Sequence, residues 1–327
     1  MINIGVIGTG SMGKNHVRVC SELEIVELGG VADIDVKVVK DIANRFQIKS
    51  FLNYKDLFKE IDAVSIATPT NTHYKIAMDA LNQGKHVLIE KPICDSAQKA
   101  EELVKKAKKE DLIFMVGHIE RYNPVIRFVK ENLNSKKLGN LISLASKRVS
   151  NYPGRIHDVG VIFDFGIHDI DIMRYLAGEV HSVYARAGNY NNTITYEDHA
   201  NIMLNFESGI CGIVEVNWLT PMKIRRLLLT CSEYFVDVNY IDQSIAMASS
   251  SYKEVNEMNL FNVPIQYNTK NILLEKKEPL RNEFVDFIQA IEYNIKPLVT
   301  GEDGLFALKI AEAATQSYKT GTEVKIL

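Results

Sequence analysis

Two rhythms of apolar and polar positions divide this sequence. From Met1 to about Arg121, short apolar runs alternate with stretches whose apolar residues recur every third or fourth position. The runs Ile2–Ile7, Glu24–Ala32, Ser50–Leu52, Ala63–Ala67, His86–Glu90 and Leu112–Val116 predict strands. The stretches after Gly13, over 35–46, near Tyr54–Lys59, and over 73–82 and 97–109 predict helices. Thr72 and Ser96 are placed to cap the last two, and Gly84 closes the helix over 73–82. Strands that are apolar throughout and alternate with helices predict a parallel sheet covered on both faces.

The rhythm changes after a helical stretch that ends near Leu133. Strand-like runs then follow at Leu141–Arg148, His181–Ala187, His199–Phe206, Ile210–Trp218, Arg226–Thr230 and Phe235–Asn239. Glu207-Ser208-Gly209 reads as a hairpin turn between two of them. Consecutive strands with few helices between them predict an open, mainly antiparallel sheet. One helix stands inside this region, from Phe163 to Leu176. Helices over 281–294 and 303–319 and a strand at Glu323–Leu327 close the chain. The expected division is a first domain over 1–121 and a second over 122–327, with the C-terminal helices able to pack back on the first.

Bulk properties narrow the picture. The chain has 327 residues, 46% of them hydrophobic and 24% charged, and a net charge of −3. That gives no basic excess to suggest nucleic acid. No apolar run approaches the roughly 18 residues of a membrane span. The four cysteines are scattered, Met1 leads straight into the first strand, and a cytoplasmic protein with no signal peptide is expected. No metal is expected, because the eight histidines form no HxxxH pair.

The first strand stops at Gly8-Thr9-Gly10-Ser11-Met12-Gly13, and a helical pattern begins directly afterwards. Strand, glycine turn and helix in that order suit a dinucleotide: a tight turn, room for a pyrophosphate, and free N–H groups at a helix N-terminus. Asp33, twenty residues past Gly13 at the end of the second strand, is placed to accept from an adenosine ribose. It favours NAD over NADP, since a carboxylate there repels a 2′-phosphate. The first domain thus reads as a doubly wound Rossmann sheet, with Gly8, Asp33, Thr68, Glu90, Lys91 and His118 at strand ends that line one crevice.

The helix within the second domain carries acid–base candidates. Asp164, His168, Asp171 and Tyr175 share one face at helical spacing. A histidine between carboxylates suits proton transfer near neutral pH. Gly166 is expected to leave room for a ring. The competing reading is a solvent-facing amphipathic helix.

These stretches together, with Gly84–Pro92, Asp164–Asp171 and Pro297–Gly304, resemble the glucose–fructose oxidoreductase/inositol dehydrogenase (Gfo/Idh/MocA) family over the whole chain. The resemblance implies oxidation or reduction of sugars, polyols or sugar nucleotides with NAD(P). It implies cofactor contacts at Gly8, Gly10, Ser11, Met12, Gly13, Asp33, Thr68, Pro69, Asn71, His73, Glu90 and Lys91. It assigns substrate positioning to Lys91 and proton transfer to His168 with Asp164 as helper. A narrower resemblance to UDP-N-acetylglucosamine 3-dehydrogenases lies in Val116–Pro124 and Arg155–Val161. That resemblance adds His118, Arg121 and Arg155 as substrate-binding residues and a UDP-sugar as substrate. Lys147, Arg148, Arg155, Arg225 and Arg226 are candidate cations for its diphosphate. Other sugar or myo-inositol dehydrogenases, an NAD-dependent glycosidase and a non-catalytic NAD sensor are the alternatives. A homo-oligomer, dimer or tetramer, formed sheet to sheet is expected from strands that are apolar on both faces.

Overall fold

The structure is a computed structural model that describes residues 1–152, 154, 159–191, 195–252 and 265–326. The chain forms two compact units. One comprises Met1–Tyr122 and Glu278–Glu312, the other Asn123–Lys277 and Ala313–Leu327.

The first unit is built on strands β1 (Ile2–Ile7), β2 (Val26–Ala32), β3 (Ser50–Phe51), β4 (Ala63–Ile66), β5 (His86–Ile89) and β6 (Phe114–Val116). They pair in parallel in the order β3-β2-β1-β4-β5-β6. Helices α1 (Ser11–Glu22), α2 (Val36–Phe46), α3 (Tyr54–Leu57), α4 (Thr70–Asn82) and α5 (Ala97–Lys109) connect them. Ile4, Val6, Val64, Ile66, Val87 and Leu88 have no exposed surface, as expected where helices cover both faces of a sheet. The strand order reverses between β1 and β4, so a crevice opens at their carboxyl ends. α4 begins at Thr70 rather than at residue 73, with Pro69 before its first turn. Thr72 is therefore inside the helix, and its hydroxyl donates to the Pro69 carbonyl and to Thr68 Oγ1 (both 2.7 Å).

The second unit opens with α6 (Pro124–Asn134), capped by Asn123, and β7 (Leu141–Asn151). A π-helical turn, Ile162–Gly166, leads into α7 (Ile167–Ala177), which ends at Gly178 with φ +97°. Then come β8 (Val180–Gly188), β9 (His199–Phe206), β10 (Cys211–Asn217), β11 (Leu219–Cys231), β12 (Phe235–Asn239), β13 (Ser244–Tyr252) and β14 (Ile265–Leu273). With β15 (Val324–Lys325) they form a nine-stranded sheet, β14-β13-β12-β11-β7-β10-β9-β8-β15. Its pairs are antiparallel except β7 with β10. Burial alternates along β9 and β10. Ala200, Ile202, Leu204, Val214 and Val216 are buried, while Met203 and Ile213, opposite each other in register, are 42% and 46% exposed. One face is packed and the other carries apolar side chains into the open. The sequence pattern does not predict β13 and β14, which are rich in Ser, Asn, Gln and Thr; among the described side chains of β13 only Ile245 and Met247 alternate into the core, and the two strands pair along their length.

Helices α8 (Pro279–Tyr293) and α9 (Gly301–Thr320) follow β14, and Glu278–Glu312 counts with the first unit. Phe284 and Phe287 are fully buried there. The start of α9 packs closely on β6: a Cβ on Gly304 would lie 2.4 Å from Val116 Cγ2, which explains the glycines of Thr300–Gly304.

Candidate active site

The first unit gathers Gly8, Asp33, Thr68, Glu90 and Gly117 at the carboxyl ends of β1, β2, β4, β5 and β6. The glycine turn has two separate causes. Gly8 has φ +88°, and a Cβ there would lie 2.5 Å from the Ala67 carbonyl oxygen; a Cβ on Gly13 would lie 1.8 Å from the Gly8 oxygen. Both positions need glycine for the chain to close on itself. Gly10 is different, since a Cβ there meets nothing within 4 Å. Its smallness leaves open space outside the loop.

That space fits a dinucleotide phosphate. α1 starts there with no side-chain cap and no acidic residue in its first turn, and Gly10 and Ser11 are exposed. Its N–H groups are therefore aimed outward with the positive end of the helix dipole. Asp33 is pre-set beside the loop. Its Oδ2 accepts from the Thr9 backbone N–H (2.6 Å) and hydroxyl (2.8 Å), and its Oδ1 from the Asp35 N–H (3.0 Å). Burial works against its charge, but these bonds and the Ile34 N–H outweigh burial and hold Asp33 below the usual carboxylate range. An ionised acceptor at this position fits ribose hydroxyls.

Glu90, Lys91 and Pro92 follow β5, and the Lys91–Pro92 peptide is cis. Glu90 Oε1 lies 3.0 Å from His16 Nε2, and Glu90 Oε2 accepts from the Lys91 N–H (3.2 Å). Burial raises the Glu90 pKa, but the His16 bond and the charges of His16, Lys91 and His73 prevail and keep it below its usual range. Glu283 on α8 is the opposite case. It is wholly buried, and among the described residues neither carboxyl oxygen has a hydrogen-bond partner. Burial first, then the charges of Glu90 and Asp286, push it well above the usual range and favour its neutral form.

The predicted contact residues differ in exposure. His73 is 1% exposed, with Nδ1 2.8 Å from the Pro92 oxygen and Nε2 2.9 Å from the Thr68 oxygen. Pro69 and Asn71 are exposed, and Thr68 and Met12 are partly exposed. His118 is 1% exposed. Arg121 is 3% exposed, and its guanidinium donates to Asp303 Oδ1 (3.1 Å) and to the Leu298 carbonyl (3.3 Å). It ties the turn before α9. Arg155 lies outside the described residues.

In the second unit, the helix expected over Phe163–Leu176 starts with the π-helical turn. A π-helical turn is wider than an α-helical one, with i→i+5 hydrogen bonds, and Asp164 lies inside it. Such turns occur often at functional sites. Asp164 is 6% exposed, Asp169 and Asp171 are 1% exposed, and His168 and Tyr175 are half-buried. The helix is not a solvent-facing one. Gly166 is packed rather than open: a Cβ there would be in ordinary contact with Ile202 Cδ1, 3.6 Å away.

The turn is fastened by a residue that the sequence pattern did not single out. Glu197 Oε1 accepts from the Ile162 N–H (3.1 Å), its carbonyl accepts from the Val161 N–H (3.0 Å), and its carboxyl lies against Gly160. Burial raises its pKa against those bonds. Arg148, a candidate for a diphosphate, is fully buried and paired with Asp169 at 2.7 Å. Lys147 pairs with Glu215 (2.9 Å) and Arg226 with Asp237 (3.3 Å), both at partly exposed sites.

Comparison with known proteins agrees with this layout. Residues 2–118 match the family described as "Oxidoreductase family, NAD-binding Rossmann fold". Residues 126–234 match "GFO/IDH/MocA C-terminal domain", and residues 252–326 match "Oxidoreductase family, C-terminal alpha/beta domain". The chain is 27% identical to UDP-N-acetylglucosamine 3-dehydrogenase of Acidithiobacillus ferrooxidans, covering 95% of both chains. A solved structure of that enzyme superposes with a TM-score of 0.85 at 25% identity, over 98% of both chains. Scyllo-inositol 2-dehydrogenase (NAD(+)) of Bacillus subtilis is 25% identical over 99% of this chain and 96% of its own. Levoglucosan dehydrogenase in complex with NADH shares the fold, with a TM-score of 0.87 at 20% identity over 100% of this chain and 99% of its own. NAD is the cofactor of the first unit.

Proposed function

Because the chain belongs to the GFO/IDH/MocA oxidoreductase family, we propose that it oxidises the 3-hydroxyl of UDP-N-acetylglucosamine to the 3-keto sugar nucleotide. The observation that carries this reading is the end-to-end similarity to a UDP-N-acetylglucosamine 3-dehydrogenase, beside Lys91, Asp164 and His168 all being present. A sensor or binding protein has no use for that acid–base set.

The chain's own groups divide the work. The N–H groups at the start of α1 hold the pyrophosphate over Gly10, and Asp33 accepts from the ribose hydroxyls. NAD, when bound, supplies the acceptor for a hydride from the carbinol carbon. His168 takes the hydroxyl proton as general base, and Asp164 steadies the charge that His168 gains. Lys91 binds the same oxygen and stabilises its developing negative charge. The alcohol thus loses one hydride and one proton and becomes the ketone. Lys147 and Arg226, partly exposed though paired with Glu215 and Asp237, are candidate cations for the diphosphate. A cytoplasmic homo-oligomer, assembled through the open face of the nine-stranded sheet, completes the proposal.

The test is NADH formation with UDP-N-acetylglucosamine, UDP-glucose, free N-acetylglucosamine and myo-inositol at equal concentration. UDP-N-acetylglucosamine is expected to react fastest and free N-acetylglucosamine poorly. Faster turnover of myo-inositol overturns the sugar-nucleotide reading in favour of a polyol dehydrogenase, the second reading that the scyllo-inositol dehydrogenase similarity supports. His168→Ala is expected to lower kcat about 10²–10⁴-fold.

A further inference from the structure

We propose that His16 and His73 are positioning residues that grip the chain on the two sides of Lys91. The inference rests on the role given to Lys91 above. Each histidine is buried, 1% exposed. Each holds one neighbour of Lys91 in the sequence.

On one side, the His16 ring bridges two strand ends. Its Nδ1 is 2.7 Å from Ser65 Oγ on β4, and its Nε2 is 3.0 Å from Glu90 Oε1. Phe284 meets the ring edge-on at 5.2 Å. The second Glu90 oxygen turns back to the Lys91 N–H. Glu90 is thus fixed as a carboxylate with both oxygens engaged, and the backbone entering Lys91 is fixed with it.

On the other side, the His73 ring joins the Pro92 carbonyl to the Thr68 carbonyl. Carbonyl oxygens only accept, so the ring makes both bonds when each nitrogen carries a hydrogen. The Glu90 carboxylate, already held below its usual range by its cationic neighbours, is the opposing charge for that form. The backbone leaving Lys91 is thereby tied to the chain that follows β4.

Lys91 is consequently the vertex of a turn anchored before and after it, by bonds made to α1, β4 and α4. A long, flexible side chain gains precision when its Cα is fixed, and a misplacement of about 1 Å costs up to about a hundredfold in rate. Glu90 and Pro92 flank Lys91 to provide the handles: an acceptor for one histidine and a carbonyl for the other.

A double-mutant cycle tests this. Steady-state rates with NAD and UDP-N-acetylglucosamine, or myo-inositol if the panel selects it, are measured for His16→Ala, His73→Ala, Lys91→Ala and both double variants. Calorimetric NAD affinity and the melting temperature are measured beside them. Each histidine variant is expected to lose about tenfold to a hundredfold in kcat, with NAD affinity changed by no more than about twofold. In the Lys91→Ala background, the same changes are expected to cost nothing further, because a positioning residue has nothing left to position. His16→Gln, which can still donate to Glu90, is expected to recover most of the loss. Additive losses overturn the inference, as do histidine variants with full kcat while Lys91→Ala is inactive. Full activity in Lys91→Ala overturns the role of Lys91 itself. Should His16→Ala fail to fold, Ser65→Ala withdraws only the far partner of the ring and is expected to show a smaller loss that also vanishes without Lys91.

Discussion

Arg148 Nε lies 2.7 Å from Asp169 Oδ2, and both side chains are 1% exposed. The guanidinium also faces the Tyr240 ring at 5.3 Å. β7 and α7 are pinned together by this pair, which joins the strand beside β10 to the helix that carries His168. A buried pair broken on one side leaves an uncompensated charge, so Asp169→Ala is expected to cost about 3–5 kcal/mol. Urea titration measures this. A loss below about 1 kcal/mol contradicts the structural role.

Asp33 governs cofactor choice. Its oxygens are organised by Thr9 and Asp35 before any ligand arrives. NAD is expected to bind more tightly than NADP, and Asp33→Ala is expected to narrow the gap. Calorimetric titration of both cofactors decides it; tighter NADP binding to the unaltered protein refutes the assignment.

Glu283 predicts a pH dependence of stability. Its folded-state pKa is raised well above that of a free glutamate, so the folded chain keeps a proton that the unfolded chain releases. The contribution is fully present below about pH 4, the unfolded value, and is lost as pH rises toward the folded value. Glu283→Gln keeps the shape without the titration. The variant is expected to gain stability over the parent as pH rises, read as a growing difference in melting temperature. A constant difference across pH contradicts the neutral acid.

Glu197 holds the turn of Asp164 through the Ile162 N–H. Glu197→Ala leaves that buried donor unpaired, at about 1–3 kcal/mol. It is expected to lower kcat more than NAD affinity, while Glu197→Gln, still an acceptor, stays close to the parent. Kinetics of the two variants side by side test the assignment.

The open sheet face predicts assembly. Ile213 and Met203 stand opposite each other on neighbouring strands and are nearly half-exposed. Ile213→Asp is expected to lower the mass found by light scattering at micromolar concentration without lowering the helix signal in circular dichroism. A monomeric parent protein refutes the assembly.

The sequence by itself determined the alternating half of the chain. Gly8–Gly13, Asp33 and the apolar runs are local signals: a strand period, a turn that needs glycine and a helix start each involve neighbouring residues, so spacing alone specifies them. The same holds for β9, the turn at Gly209 and the stop at Gly178. What the tertiary structure decided is which polar groups are buried and with whom. His16 meets Ser65 and Glu90 across 49 and 74 residues, and Arg148 meets Asp169 across 21. No local period encodes such pairs, because their energy arises only when packing removes water from both partners. That is why the buried partners of Arg148, Arg121 and His73 could not be read from the sequence. The π-helical turn has the same origin: Glu197, distant in sequence, accepts the N–H that starts it, and only the folded sheet brings Glu197 there.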